Sequence, residues 1–278
     1  MHGSALNYRI VFLQKKKEMT IGIVGCGNLG LSLLNGIRQN DCGVKIIGSR
    51  RNISELQCLN IPNTVFTASN SDLIKESDIV IIALKPYNVL SFLADNKQFF
   101  DPERHTVISA ASEITMDEME EVIGKGFDIF RVMPNTAASV NESITAICIK
   151  NDHLNRKDLV LGIFNMIGET IIIDEKLMES ATILGACGIA YVLRFMRAMI
   201  QGGIEVGFDA KTATRIVSQT VKGAAELIIQ NGTHPEEEID RVTTPKGCTI
   251  VGLNEMEHSG FSSALIKGIV ASYEKIEK

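Results

Sequence analysis

The chain has 278 residues, 45% of them hydrophobic and 22% charged, with a formal net charge of −5; that is enough for a sizeable core and for two domains of the usual ~100–200 residues. The mild acidic excess excludes the basic stripe that non-specific nucleic-acid binding needs, and Lys15-Lys16-Lys17 reads as a solvated face. Six cysteines (Cys26, Cys42, Cys58, Cys148, Cys187 and Cys248) with no CxxC pair, and five isolated histidines, predict reduced thiols in a cytoplasmic setting and no metal.

In chain order, residues 1–18 (MHGSALNYRIVFLQKKKE) look foreign to the rest of the chain and are read as an extension, disordered or non-native, with Met19 as the natural start. From 19 to 174 short β-branched runs alternate with helical segments: IGIVG, VKIIGS, TVFT, DIVIIAL, TVISA, FDIFRVM, ITAICIK and ETIIID. DIVIIAL is apolar almost throughout, as a strand covered on both faces must be, and the alternation predicts a parallel sheet. From 175 to 278 the β signal vanishes and helices are predicted over 177–205, 209–231, 248–258 and 260–276. The apolar stretch ATILGACGIAYVL stops at Arg194, short of the ~20 residues a membrane span requires, so no membrane is expected. The first of these helices is apolar around most of its circumference and needs cover on all sides. That predicts a homodimer with interleaved helical domains.

The stretch IGIVGCGNLGLSLLNGI, Ile21 to Ile37, places Gly25, Gly27 and Gly30 between a strand and an amphipathic helix, with a second strand on schedule after them. In that setting the first glycine permits the turn and the second admits a pyrophosphate to the backbone. The third lets helix pack on strand, and the helix N-terminus supplies N–H groups. The fold class is therefore α/β: an N-terminal Rossmann-type parallel-sheet dinucleotide-binding domain followed by an all-helical dimerisation domain.

An NAD site carries an acidic residue about 20 positions on, to accept from the ribose 2′-OH. Here the second strand ends in Ser49-Arg50-Arg51, which suits a 2′-phosphate, so NADPH is expected, with NADH weaker. Three further strand ends converge on the same edge: Ala83-Leu84-Lys85-Pro86, Ser109-Ala110-Ala111, and Met133-Pro134-Asn135-Thr136. Their small residues and prolines suit a flat cofactor lying across them, and Met133, Pro134 and Asn135 are read as substrate-binding candidates.

With these pieces in view, the chain resembles the pyrroline-5-carboxylate reductase family from Thr20 to about Ser272. The most specific stretches are RVMPNTAASVNES (Arg131 to Ser143), QTVKGAAELIIQNG (Gln219 to Gly232, followed by THPEE) and TTPKGCTIVGLNEMEHSGF (Thr243 to Phe261). The resemblance implies NADPH-dependent reduction of a cyclic imine to proline. It implies that Val24, Gly25, Cys26, Gly27, Asn28 and Leu29 wrap the pyrophosphate, and that Ser49, Arg50 and Asn70 lie by the adenosine. Ala83, Leu84, Lys85 and Pro86 border ribose and nicotinamide, while Gly247, Cys248 and Thr249 hold the substrate carboxylate. It further implies an interleaved dimer, often assembled into a ring of dimers.

The chemistry agrees. A protonated imine is already an electrophile, so the protein must mainly hold it against the nicotinamide and grip its carboxylate. A proline-containing turn opening a helix at Pro245 to Ile250 offers N–H groups and the positive end of a helix dipole. Thr249 is read either as a proton relay to the ring nitrogen or as a helix-cap threonine. Three stretches depart from the family: Leu184-Gly185-Ala186-Cys187-Gly188-Ile189-Ala190-Tyr191 stands where it has Ser-Gly-Ser-Gly-Pro-Ala-Tyr, Lys246 stands in its Pro-Gly-Gly, and Ala111-Ser112-Glu113 stands for its Ala-Ala-Gly. These leave open a reductase of another small cyclic imino acid, or a non-catalytic NADPH-binding dimer. A β-hydroxyacid dehydrogenase would carry a lysine in the first long helix after the boundary, where this chain has Ala, Gly and Cys.

Overall fold

The structure, a computed structural model, describes residues 19–40 and 43–276; the expected extension over 1–18 lies outside them. Eight strands form one sheet in the order β3-β2-β1-β4-β5-β6-β7-β8. They are β1 (Thr20–Val24), β2 (Lys45–Ser49), β3 (Thr64–Thr67), β4 (Ile79–Ile82), β5 (Thr106–Ser109), β6 (Asp128–Met133), β7 (Ser143–Ile149) and β8 (Gly168–Ile172). Each falls on one of the eight β-branched runs. β4, β5 and β6 are buried at every position, and their side chains divide by alternation. Ile79, Ile81, Ile108, Phe130 and Val132 join one core, while Val80, Ile82, Val107, Ile129 and Met133 join the other.

The helices of this unit are α1 (Asn28–Gln39), α2 (Ser54–Gln57), α3 (Asn70–Glu76), α4 (Val89–Asn96), α5 (Met116–Ile123), α6 (Lys157–Asn165) and the short α7 (Met178–Ala181). Leu33, Leu34 and Ile37 of α1 pack on the first core, and Phe92, Leu93, Met116, Met119 and Ile123 on the second. The α5 start is fixed by a capping box, in which Thr115 and Glu118 satisfy each other's backbone N–H groups.

The sheet is parallel except between β6 and β7, which run antiparallel, so the wholly parallel expectation is corrected. The connection over 134–142 holds only the 3₁₀ turn Thr136–Val140. A parallel crossover needs a dozen residues or more, so the chain can only turn back.

Backbone contacts divide the protein into two compact units, one running to Cys187 and one from Gly188 to Lys275. The division falls beyond the expected Asp174/Glu175, because residues 175–187 pack with the sheet: Met178 belongs to the second core and Ile183 is buried. The second unit comprises α8 (Gly188–Glu205), α9 (Ala210–Asn231), α10 (Pro235–Val242), α11 (Cys248–His258) and α12 (Phe261–Ile276). Helix α10 was not expected from the sequence, although Pro235 at its first turn and Glu236, Glu237 and Glu238 behind it are start signals.

Inside this unit Phe195 meets Phe261 at 6.0 Å between ring centroids, and Tyr191 donates to Ser272 Oγ at 2.7 Å. Only Ala213 and Val217 of its described residues are buried hydrophobics, while Leu193, Val206, Ile229, Val251 and Ile266 are exposed. The helical run Glu175–Glu205 extends over 31 residues and by length and composition is apolar enough to cross a membrane. The uninterrupted apolar stretch stops at Arg194 as read, but the helix predicted over 177–205 continues through it, since arginine is a good helix former, and the helix as a whole reaches the length that the stretch alone falls short of.

Candidate dinucleotide cleft

The cleft lies where the strand order reverses, at the carboxyl ends of β1, β2, β4, β5 and β6, and encloses about 910 Å³. At its centre is the glycine turn. Gly25 has φ +93°, a conformation that favours glycine, and a Cβ on Gly30 would lie 2.4 Å from the Gly25 carbonyl oxygen. The N–H groups of Gly25 and Cys26 both donate to the Ser49 carbonyl, at 3.0 and 2.8 Å. They therefore staple the turn to β2, leaving the first turn of α1 to meet an anion. Gly27 N-caps that helix without a side-chain cap, and a Cβ built on it would meet nothing within 4 Å. This open cradle above an uncapped helix N-terminus fits a pyrophosphate.

Val24, Gly25, Gly27, Asn28 and Leu29 line the cleft; Cys26 and Gly30 do not. The Cys26 side chain is fully buried in the first core, and burial pushes its thiol up to about 12. It fills space beneath the turn and presents no thiolate to a ligand.

At the β2 end, Ser49, Arg50 and Asn70 line the cleft together with Arg51 and Asn52. Ser49 is buried and donates its hydroxyl to Asn70 Oδ1 at 2.7 Å. The Arg50 guanidinium pairs with Glu55 at 3.2 Å, whereas Arg51 is exposed and has no hydrogen-bond or ion-pair partner among the described residues. Ala83, Leu84, Lys85, Pro86, Ala110, Ala111 and Met133 line the opposite half.

Pro134 and Asn135 are absent from the lining. Asn135 is buried, and its side-chain oxygen accepts from Ala137 N at 2.9 Å while its amide donates to the Gly185 carbonyl at 3.1 Å. Residues that sequence reading missed are Tyr87, Asn88, Ser91, Asp95, Thr182 and Ala186. Asn88, Ser91 and Asp95 follow i, i+3, i+7 spacing into and along α4, a polar stripe that helical periodicity makes visible. Thr182 and Ala186 lay beyond the expected domain boundary and carried no such signal.

In the helical unit, Gly247 N-caps α11, whose first residues are Cys248 and Thr249. The Gly247 N–H donates to the Thr244 carbonyl at 2.9 Å, so of the three expected backbone donors only those of Cys248 and Thr249 remain available. Thr249 is half-buried and its hydroxyl has no hydrogen-bond partner among the described residues; the cap is Gly247, so the helix-cap reading of Thr249 does not hold. Lys246, ahead of it, has φ +61°, and Glu113 has φ +68°. Both are positions at which the resemblance implies glycine.

A family model described as pyrroline-5-carboxylate reductase dimerisation matches residues 175–278, and one described as NADP oxidoreductase, coenzyme F420-dependent, matches residues 20–113. Pyrroline-5-carboxylate reductase 2 of Dictyostelium discoideum is 39% identical over 95% of this chain and 94% of its own. The chain belongs to the pyrroline-5-carboxylate reductase family.

Pyrroline-5-carboxylate reductase 1 of the same organism is 40% identical over 92% of this chain, which spans about half (49%) of that longer protein. A crystal structure of Plasmodium falciparum pyrroline carboxylate reductase with NADP bound superposes with a TM-score of 0.85 at 27% identity, covering 93% of this chain and 97% of the other. Membership explains the helical unit. Residues 175–278 match a dimerisation domain of this family, and the exposed apolar residues of α8 to α12 lie within that match.

Proposed function

We propose that the protein reduces 1-pyrroline-5-carboxylate to L-proline, with NADPH as reductant. The observation that carries this is the 39% identity to a reductase of that name over almost the whole of both chains, joined to a cleft whose uncapped helix and open Gly27 cradle fit a dinucleotide. NADPH supplies the hydride when bound. The N-terminus of α1 balances the pyrophosphate charge, and Arg50 and Arg51 meet a 2′-phosphate beside Ser49 and Asn70. Lys85 and Pro86 with Ala83, Ala110, Ala111 and Met133 border the nicotinamide half and keep water from it.

The N–H groups of Cys248 and Thr249, at the positive end of α11, hold the imino-acid carboxylate. The unpaired Thr249 hydroxyl passes a proton at the ring nitrogen, while hydride at the adjacent carbon converts C=N to a secondary amine. The enzyme acts in this reading as a soluble, cytoplasmic homodimer with interleaved helical domains, assembled further into a ring of dimers. The test is loss of reduced-nicotinamide absorbance with pyrroline-5-carboxylate, with NADPH and NADH in parallel. Turnover favouring NADPH is expected. Turnover only with another cyclic imino acid would move the substrate, and none despite NADPH binding would leave a non-catalytic dimer.

A further inference from the structure

Between α7 and α8 the chain forms a six-residue π-turn, Thr182–Cys187. Such turns are rare and recur at functional sites, because the widened winding re-aims side chains and carbonyls. Here it sends Thr182 and Ala186 into the cleft, at the half that Ala110, Ala111 and Met133 also line. Ser49 and Asn70 belong to β2 and the start of α3, on the other side of β1.

Two anchors hold this wall, and both come from the β6 stretch RVMPN. Arg131 is buried on the second face of the sheet, with Nη2 2.5 Å from Glu179 Oε1 and Nη1 3.4 Å from Glu175 Oε1. Glu175 Oε1 also accepts from Met116 N at 2.8 Å. Arg131 Nε and Glu179 Oε2 are buried with no hydrogen bond. An ion pair so incompletely satisfied adds little stability after desolvation, and its specific product is geometry.

The second anchor is Asn135. Its backbone N–H donates to Ser143 Oγ at 3.0 Å and its Oδ1 caps Ala137 N, both within the local turn. Its Nδ2 alone reaches out of that turn, to the Gly185 carbonyl inside the π-segment.

We propose that Asn135 is a positioning residue for the nicotinamide half of the cleft: its amide holds the π-turn so that Thr182 and Ala186 close that end. The inference rests on the proposed dinucleotide reading but assigns Asn135 a role apart from the substrate. Asn135→Asp keeps the acceptor that caps Ala137 and deletes the donor to Gly185. Asn135→Ser also keeps a capping oxygen, cannot span to Gly185, and adds no charge.

The experiment compares dissociation constants for NADPH and for 2′-phospho-ADP-ribose, which has every part of the cofactor except the nicotinamide. Both variants should bind NADPH about tenfold more weakly and the fragment within about twofold of the parent chain. NADPH affinity of the Asn135→Asp chain should recover at acid pH, where the new carboxyl is protonated and can donate again, while that of Asn135→Ser should not. Equal weakening of both ligands, or of neither, overturns the proposal, as does a parent chain that binds no NADPH. A parent chain that binds NADPH yet reduces no pyrroline-5-carboxylate defeats the proposed reaction and leaves the Asn135 comparison decisive.

Discussion

Arg50 and Glu55 face each other at 3.2 Å across the end of β2, while the neighbouring Arg51 stands without a partner among the described residues. The pair is exposed, so it is weak and can open, but a 2′-phosphate must compete with Glu55 for Arg50 and with water alone for Arg51. Arg51→Ala should therefore weaken NADPH by about tenfold or more, the size of one charge-assisted contact, and leave NADH nearly unchanged. Arg50→Ala should do less. Titration of both variants with both cofactors decides, and the reverse order would assign the phosphate to Arg50.

Thr249 is the one side chain given a proton to move. Thr249→Ala should lower kcat by about 10²-fold, at the low end of acid–base effects, with NADPH affinity unaltered. Steady-state kinetics beside a binding titration checks this, and unchanged turnover would remove the hydroxyl from the mechanism.

Lys246 and Glu113 hold left-handed backbone with side chains attached, at φ +61° and +68°. Each conformation costs about 1 kcal/mol or more for a non-glycine residue. Glu113→Gly should raise stability by about that amount in urea unfolding, and Lys246→Gly likewise. A loss in either case would show that the lysine or glutamate side chain makes compensating contacts.

His105 is buried, its ring lying between the Asp101 N–H at 2.8 Å and the Ile74 carbonyl at 3.0 Å. Burial holds its pKa below the ordinary imidazole value. The unfolded chain therefore takes up a proton first. The associated stability is complete above about pH 6.5 and drains away as pH falls below it. Urea midpoints between neutral pH and about pH 5 should decline for the parent chain and decline less for His105→Gln. Parallel slopes would acquit the histidine.

The helical unit offers the fifth test. Ile229 and Ile266 are both more than half exposed on helices with almost no buried hydrophobic residues of their own. Light scattering should report the mass of two chains or a multiple of it, and Ile266→Glu should shift it towards one. A parent chain that stays single at micromolar concentration would contradict a covered apolar face.

Much of the fold was legible because its signals are local. Eight β-branched runs became eight strands, and the glycine spacing located the turn. The antiparallel β6–β7 pairing was not legible from strand patterns alone; its cause is the length of a connection rather than the character of either strand. The site was legible where it is built from strand ends. Its other half, Thr182 and Ala186, belongs to a segment whose residues read as an ordinary apolar helix, since a π-turn has no distinctive composition. Asn135 shows the same limit. A polar residue just past a strand end looks like a ligand contact, and only tertiary packing reveals that both ends of its amide are taken by protein.

The reversal at β6–β7 also fixes the direction in which the next helix travels. Because β7 and β8 run against β6, the chain leaves β8 heading away from the cleft and must come back toward it through Glu175, Glu179 and Gly185. Had all eight strands run the same way, that helix would have begun at the cleft and departed at once. The return leg is pinned at Arg131 and again at Asn135, so the number of residues between Glu179 and Gly185 is a gauge. Adding or removing one would turn everything beyond it by about 100° and lift Ala186 out of line. Length variation in this family member should be tolerated in its surface loops and refused in these five positions.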